Sequence, residues 1–205
     1  MSEVAKLIEA VDKADSADKL LEAVENLADA ASTEAIPTLI QVLGFNNPGA
    51  AVAAVDGLIE IGEPVVQPLL QSLDDYNYGA RAWSLRVFAG VGDPAALDLL
   101  LKAAVTDFSQ SVRRAAARGL GIIKWEKLPP KEIPAAQQKA LSTLLMATED
   151  GEWVVRYAAV VGLQSLGEAQ PNFKQQIVAK LQKLSDRESE SGVKARAELA
   201  ISTLT

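Results

Sequence analysis

The chain has 205 residues with 20 basic and 27 acidic side chains, and its net charge of −7 disfavours non-specific nucleic-acid binding as its main task. It contains neither cysteine nor histidine, which excludes disulfide bonds, thiolate and histidine catalysis and sulfur-ligated zinc, so we expect no metal site. No apolar run approaches the roughly 18 residues of a membrane span, and no basic segment followed by an apolar one opens the chain, so we expect a cytoplasmic protein without membrane insertion.

The first predicted element is an amphipathic helix within residues 2–12, which we expect to form an N-terminal cap over residues 1–17. Beyond it one pattern recurs, and each copy closes on a large apolar residue with a small residue four positions earlier. The copies are residues 19–27, 50–58, 80–88, 112–120 and 155–163, and residues 193–201 are a candidate sixth. The closing residues lie 31, 30, 32, 43 and 38 positions apart, a spacing typical of stacked helical hairpins.

The segments between the copies predict the first helix of each hairpin and the turns. Residues 35–43 and 65–73 carry apolar residues at helical spacing, with proline near the start. We predict turns at residues 44–49, 62–64, 92–94 and 167–168, with glycine in the left-handed position that closes a helix. The longest interval holds a proline-rich insertion, residues 124–134, which is either a hinge or partner contact or an ordinary surface connection.

The repeat runs along the chain without a break. It therefore predicts one all-α domain over residues 1–205, an α-solenoid of about five to six helical hairpins. Residues 112–120 read Val-Arg-Arg-Ala-Ala-Ala-Arg-Gly-Leu and resemble the second helix of HEAT-like repeats. That resemblance implies an architecture and no particular chemistry.

The third copy carries an unusual concentration of aromatic and charged residues at the predicted start of its second helix. Residues 74–83 read Asp-Asp-Tyr-Asn-Tyr-Gly-Ala-Arg-Ala-Trp, and the neighbouring copies have alanine where this one has Trp83. The repeat itself therefore does not require the indole, and we predict a ligand site here. The alternative is that the rings cover a hydrophobic edge while Asp74 or Asp75 caps the helix.

A basic residue lies seven positions before the closing residue in four copies: Arg81, Arg113, Arg156 and Lys194. In HEAT-like repeats such a residue usually bonds to acidic or carbonyl groups of the adjacent repeat. The alternative is a ladder of arginines, one per repeat, that holds the carboxylates of a ligand through charge-assisted forks. The sequence leaves both roles open.

The stretch from Asp75 to Trp83, followed by residues 88–94 and 97–101, resembles the F-type (beta) subunits of the heterodimeric E/F phycobilin lyases of cyanobacteria and red algae. The resemblance implies attachment of phycocyanobilin, an open-chain tetrapyrrole, to a cysteine of the phycocyanin alpha subunit through a thioether. It also implies an E-type lyase subunit as partner, a role in phycobilisome assembly, and phycocyanobilin as substrate with no resident cofactor.

On this resemblance we assign roles to the residues of the third copy. We expect Asp74, Asp75 and Tyr78 to take part in the chemistry, because a carboxylate that keeps the bilin protonated eases thiol addition. The remaining candidates would cover the conjugated system or hold the two propionates. These expected ligand-binding residues are Tyr76, Asn77, Arg81, Trp83, Arg113 and Arg156.

Two further points bear on function. A related F-type subunit of the phycoerythrocyanin system also isomerises its bilin and carries a His-Cys pair in this motif. Here the motif is Tyr76-Asn77-Tyr78-Gly79, so attachment without isomerisation is expected. Two other functions stay open: a non-catalytic repeat scaffold that binds a protein, and a chaperone for the bilin or the phycobiliprotein.

Overall fold

The computed structural model describes residues 1–73 and 77–205, and these residues form two compact units, Met1–Val91 and Gly92–Thr205. The secondary structure of the described residues is helical throughout, and the all-α prediction is confirmed. None of the described helices is both long enough and apolar enough to cross a membrane.

The described residues of the first unit form six α-helices that pair in chain order. Helix α1 packs against α2, α3 against α4, and α5 against α6, while α4 also packs between α2 and α6. The helices are α1 (Glu3–Lys13), α2 (Ala17–Asp29), α3 (Ile36–Val42), α4 (Pro48–Ile61), α5 (Val66–Gln71) and α6 (Tyr78–Val91). The N-terminal helix thus forms a pair with its successor in the same way as the later helices.

The second unit repeats this arrangement. Helix α7 packs against α8, α9 against α10, and α11 against α12, while α10 also packs between α8 and α12. The helices are α7 (Leu97–Thr106), α8 (Gln110–Leu120), α9 (Ile133–Ala147), α10 (Trp153–Ala169), α11 (Lys174–Arg187) and α12 (Ser191–Leu204).

The recurring copies all lie in the second helix of a pair, and this includes the candidate sixth copy, which falls within α12. The small residue of every copy is buried, so neighbouring second helices can approach closely. These residues are Ala23, Ala54, Ser84, Ala116, Ala159 and Ala197. The pattern of small and large residues therefore identifies the face on which each second helix packs against its neighbours.

Of the four predicted glycine turns, two are confirmed, a third at residues 44–49 forms a turn in which Gly44 is not left-handed, and the fourth is wrong. Gly62 and Gly92 have φ of +79° and +69°, the left-handed conformation that glycine adopts without strain. Gly167 instead lies inside α10, which continues to Ala169. It is buried there against the side chains of Leu204 and Ile177, so a packing requirement was mistaken for a turn.

The proline-rich insertion is anchored to the second unit. Trp125 is buried in a short 3₁₀ helix, and the Lys124 N–H donates to the Gly92 carbonyl over 2.8 Å. Lys127 Nζ lies 3.0 Å from Asp93 Oδ2. The last proline, Pro134, lies in the first turn of α9, where it needs no intrahelical hydrogen bond. The prediction of a single domain over residues 1–205 stays a prediction.

Candidate functional site

A groove of about 500 Å³ opens beside the start of α6 in the first unit. One wall is the turn between α3 and α4, which includes Phe45 and Asn46, and the other is the start of α6, which includes Asn77, Tyr78 and Trp83. Tyr78 is 56% exposed, Asn77 is exposed and Trp83 is partly buried. The aromatic motif therefore lines an accessible groove instead of filling the core.

Two asparagines fix the walls of this groove. The Ala80 N–H donates to Asn77 Oδ1 over 3.0 Å at the start of α6, and the Ala50 N–H donates to Asn47 Oδ1 over 3.1 Å at the start of α4. Asparagine suits such a capping position, because its side chain satisfies an N–H group that has no partner within the helix. Asn47 Nδ2 also donates to the Ala17 carbonyl over 3.0 Å, which ties the turn to α2.

Trp83 forms a stacked pair with a residue that the sequence analysis did not select. The Arg86 guanidinium carbon lies 4.6 Å from the centroid of the Trp83 ring. The two residues are three positions apart on α6 and so lie on the same helix face. A cation over an indole face is attracted by the ring's quadrupole, so this contact holds the ring in place at the groove.

Arg81 has a different position from the other motif residues. It is 7% exposed and lines an adjoining cleft of about 250 Å³ together with Asn77, Ser72 and Leu73. The Ser84 hydroxyl, also at this cleft, donates to the Ala80 carbonyl over 2.9 Å. Three predicted residues, Asp74, Asp75 and Tyr76, lie outside the described residues.

Arg113 in the second unit joins two successive repeats. Its Nε and Nη2 donate to Asp150 Oδ2 and Oδ1 over 2.7 and 3.0 Å. Its Nη1 donates to the carbonyls of Asp107 and Phe108 over 2.9 and 3.1 Å. The guanidinium thus ties the turn of its own repeat to the turn of the next one.

Arg156 repeats this arrangement one hairpin later. Its Nε and Nη2 both donate to the Glu188 carboxylate over 2.7 Å. Its Nη1 donates to the carbonyls of Asp150 and Gly151 over 2.9 and 3.1 Å. Of the two roles that the sequence left open for Arg113 and Arg156, the structure shows the contacts of the inter-repeat one.

These ion pairs shift the pKa values of the partners in the expected directions. The hydrogen bond from Arg156 holds the pKa of Glu188 below its usual value against the opposing effect of burial. Burial raises the pKa of Asp150, but hydrogen bonds from Arg113 and from the Glu152 N–H outweigh it, so the net pKa is lowered. Both carboxylates are therefore charged across the neutral pH range.

Sequence reasoning missed the far wall of the groove, Phe45 and Asn46, and the stacked Arg86. One available signal was the asparagine eleven positions before the closing residue in two successive copies, Asn47 and Asn77. In stacked hairpins equivalent turns lie side by side. The turn of the second copy therefore had to adjoin the motif of the third.

Comparisons with known proteins place the chain in a family. The model of the HEAT repeats matches residues 4–78 and 66–163, more than half of the chain. The phycocyanin alpha phycocyanobilin lyase CpcF of Synechocystis sp. is 51% identical over 194 residues, which cover 95% of this chain and 91% of that protein. The phycocyanobilin lyase subunit beta of Nostoc sp. is 50% identical over 195 residues, which cover 95% of this chain and 97% of that protein. The chain belongs to the F-type (beta) phycocyanobilin lyase subunits.

A solved structure of the same family agrees at the level of the fold. In the complex of CpcE and CpcF of phycocyanin lyase from Nostoc sp., one chain matches with a TM-score of 0.78 and 50% identity. The match covers 82% of this chain and 99% of that one. The α-solenoid fold of HEAT-like repeats and the resemblance read from residues 75–83 are both confirmed.

Proposed function

We propose that this chain is the F-type subunit of a bilin lyase that attaches phycocyanobilin to a cysteine of the phycocyanin alpha subunit, together with an E-type subunit. One observation carries the proposal: identity of 51% to a phycocyanin alpha phycocyanobilin lyase over 95% of this chain and 91% of that relative. The open groove at the aromatic motif supplies a surface on which a flat pigment can lie. Its volume of about 500 Å³ falls in the range of small-molecule sites.

The reaction requires neither an oxidant nor a nucleophile from this chain. The thiol of the acceptor cysteine adds across the ethylidene double bond of the bilin, so a carbon–sulfur bond forms and the π bond is lost. The proton of the thiol ends on the bilin, and no group leaves. A subunit without cysteine and histidine can therefore serve this reaction by binding the pigment and by controlling its protonation.

The groove residues have distinct roles in this proposal. Trp83 and Tyr78 offer ring surface to the conjugated system, and the Asn77 side chain, although it caps α6, keeps an amide donor beside them. Arg86 places a positive charge next to the indole, where a bilin propionate would find a partner. Because Tyr78 is 56% exposed, a second protein surface is needed to enclose the pigment, and we assign that surface to the E-type subunit.

The roles of Asp74, Asp75 and Tyr76 rest on the sequence alone. A carboxylate that keeps the bilin protonated draws electron density from the ethylidene carbon and speeds thiol addition. We expect Asp75→Asn to slow thioether formation in the complete mixture while helicity and bilin binding are retained. Equal rates for Asp75→Asn and the unchanged chain would remove this carboxylate from the mechanism.

The ligand-binding role of Arg113 and Arg156 stays a prediction, and it requires that each arginine give up an existing ion pair. To grip a propionate, each guanidinium would have to exchange a two-point contact with Asp150 or Glu188 for one with the pigment. Arg86, by contrast, lies against the Trp83 ring, which lines the groove. We therefore place propionate binding first at Arg86.

The proposal has no resident cofactor, because the bilin enters as substrate and leaves on the product. The E-type subunit and the apo alpha subunit are proteins of phycobilisome assembly, so we place the reaction in the cytoplasm. The observation that supports this is the match to lyases of the same pathway.

A reconstitution experiment separates the three functions considered for this chain. The purified chain is mixed with phycocyanobilin and apo alpha subunit, with and without an E-type subunit, and denatured samples are examined for covalent pigment. A lyase subunit gives adduct only in the complete mixture. Bilin binding without adduct would instead show a chaperone, and the absence of any spectral change would leave a scaffold.

A further inference from the structure

A second groove in the first unit, apart from the motif, lies between α2 and α4 and has a volume of about 790 Å³. Its floor is small and apolar and includes Ala28, Ala53 and Gly57. The two helices nearly touch there, since a Cβ atom on Gly57 would come within 2.5 Å of the Ala28 Cβ. Val52, at 38% exposure, and Leu21 add apolar surface at the rim.

We call this the acidic groove, because carboxylates line both of its walls. These are Glu25 and Asp29 on α2 and Asp56 and Glu60 on α4. On each helix the two acids are four positions apart, so they lie one above the other, about 6 Å apart. All four side chains are exposed, and within the described part of the chain none of them forms an ion pair. The groove therefore presents two parallel rows of unneutralised negative charge.

The stretch of sequence that forms this groove contains no lysine or arginine. Residues 20–80 contain nine acidic side chains and no lysine or arginine. The first unit has 14 acidic and 5 basic residues, a net charge of −9, whereas the second unit has 13 acidic and 15 basic residues, a net charge of +2. The acidity of the protein is thus concentrated in the unit that carries the groove.

We propose that the acidic groove is the docking surface for a basic amphipathic helix of the E-type partner subunit, an inference that rests on the proposed function. Apolar side chains of that helix lie against the floor around Ala53 and Gly57. Lysine or arginine side chains spaced by one helical turn reach the paired acids on either wall. Charge complementarity then sets the orientation and speeds association.

The choice of a cationic protein segment follows from the mixed lining of the groove. A bilin carries two propionates, which four carboxylates would repel. A second copy of the first unit would bring an equal charge of −9 to the interface. A basic helix with apolar residues on one face matches both the charged walls and the apolar floor.

The test compares two double variants that change the net charge equally. Asp56→Lys with Glu60→Lys reverses one wall of the groove, whereas Glu22→Lys with Glu34→Lys changes two exposed acids of the same unit that do not line it. Affinity for the E-type subunit is measured by calorimetry at about 0.05 M and about 0.5 M salt, where screening differs strongly. Circular dichroism confirms that each variant is folded, and Asp56→Asn with Glu60→Gln serves as a milder second pair.

We expect Asp56→Lys with Glu60→Lys to bind the E-type subunit at least about tenfold more weakly at low salt. Asp56→Asn with Glu60→Gln should lose less affinity. The control pair should stay within about threefold of the affinity of the unchanged chain. The affinity of the unchanged chain should fall as salt rises. Equal affinity of the groove and control variants would overturn the inference while leaving a working lyase intact. If the unchanged chain neither binds the E-type subunit nor supports adduct formation, the proposed function itself fails.

Discussion

At the scale of single residues, we expect Arg86 to contribute directly to bilin binding, because its guanidinium carbon lies 4.6 Å from the Trp83 ring centroid. This contact both orients the indole and keeps a positive charge beside the groove. A cation–π contact at a partly exposed site contributes about 0.5–1 kcal/mol, and a charge-assisted bond to a propionate adds to it.

Replacing Arg86 should therefore weaken bilin binding without abolishing it. We expect Arg86→Leu to raise the dissociation constant of the bilin about three- to tenfold, as measured by absorbance titration. Arg118, at the equivalent position in the next copy and exposed on α8, provides the control Arg118→Leu. Equal titration curves for the two variants would show that Arg86 does not contact the pigment.

The inter-repeat ion pairs predict how stability depends on pH. The folded-state pKa values of Asp150 and Glu188 are lowered, so their stabilising contribution is present above the ordinary carboxyl pKa of about 4 and is lost as pH falls through the folded values. The urea midpoint should fall as the pH is lowered from about 5 to about 2.

A matched variant isolates these two carboxylates from the other acids. Asp150→Asn with Glu188→Gln should destabilise the protein at pH 7 by a few kcal/mol, because Arg113 and Arg156 lose charged partners while largely buried. Its urea midpoint should then change less between pH 5 and pH 2. An unchanged pH profile in this variant would assign the acid sensitivity to other groups.

At the scale of elements, the packing of the second helices depends on small residues where α8 and α10 cross. A Cβ atom on Gly162 would lie 2.5 Å from the Ala117 carbonyl oxygen and 2.8 Å from Leu144 Cδ2. The nearest of these is a backbone atom, which cannot rotate away. A side chain at this position would therefore separate the two helices.

Gly162→Ala should accordingly lower the free energy of unfolding by about 1–3 kcal/mol, measured by urea denaturation. Gly192 lies in the first turn of α12 with nothing within 4 Å of an added Cβ, so Gly192→Ala is the control and should be neutral or stabilise by about 0.5 kcal/mol. If Gly162→Ala were as stable as the control, the close crossing of α8 and α10 would be wrong.

The sequence predicted the elements better than their exact ends. The recurring pattern of small and large residues identified the second helix of each pair, because these residues are the ones that pack. Gly167 was misread as a turn, since a glycine required by a neighbouring side chain and one required by a left-handed φ look alike in one sequence. The motif at residues 77–83 was found through its aromatics, but Phe45 and Asn46 could not be assigned to it without the packing of successive turns.

At the scale of the whole molecule, the uneven distribution of charge and the family membership together support the proposed function. The acidic first unit carries both the aromatic groove and the acidic groove, and the two share no lining residue. In our proposals the E-type subunit docks at the acidic groove and also covers the pigment in the aromatic groove. The reaction needs both, since the exposed Tyr78 must be covered for the bilin to leave water.

The central claim is that the groove at the start of α6 holds the bilin during attachment, and one rate comparison tests it directly. Trp83→Ala and Trp153→Ala each remove a partly exposed tryptophan from the start of a second helix, but only Trp83 lines this groove. Covalent adduct is followed over time in the complete mixture of chain, E-type subunit, phycocyanobilin and apo alpha subunit. We predict a rate at least about tenfold lower for Trp83→Ala, equivalent to about 1.4 kcal/mol, and an unchanged rate for Trp153→Ala. Wild-type rates for Trp83→Ala, or an equal loss in both variants, would contradict the account.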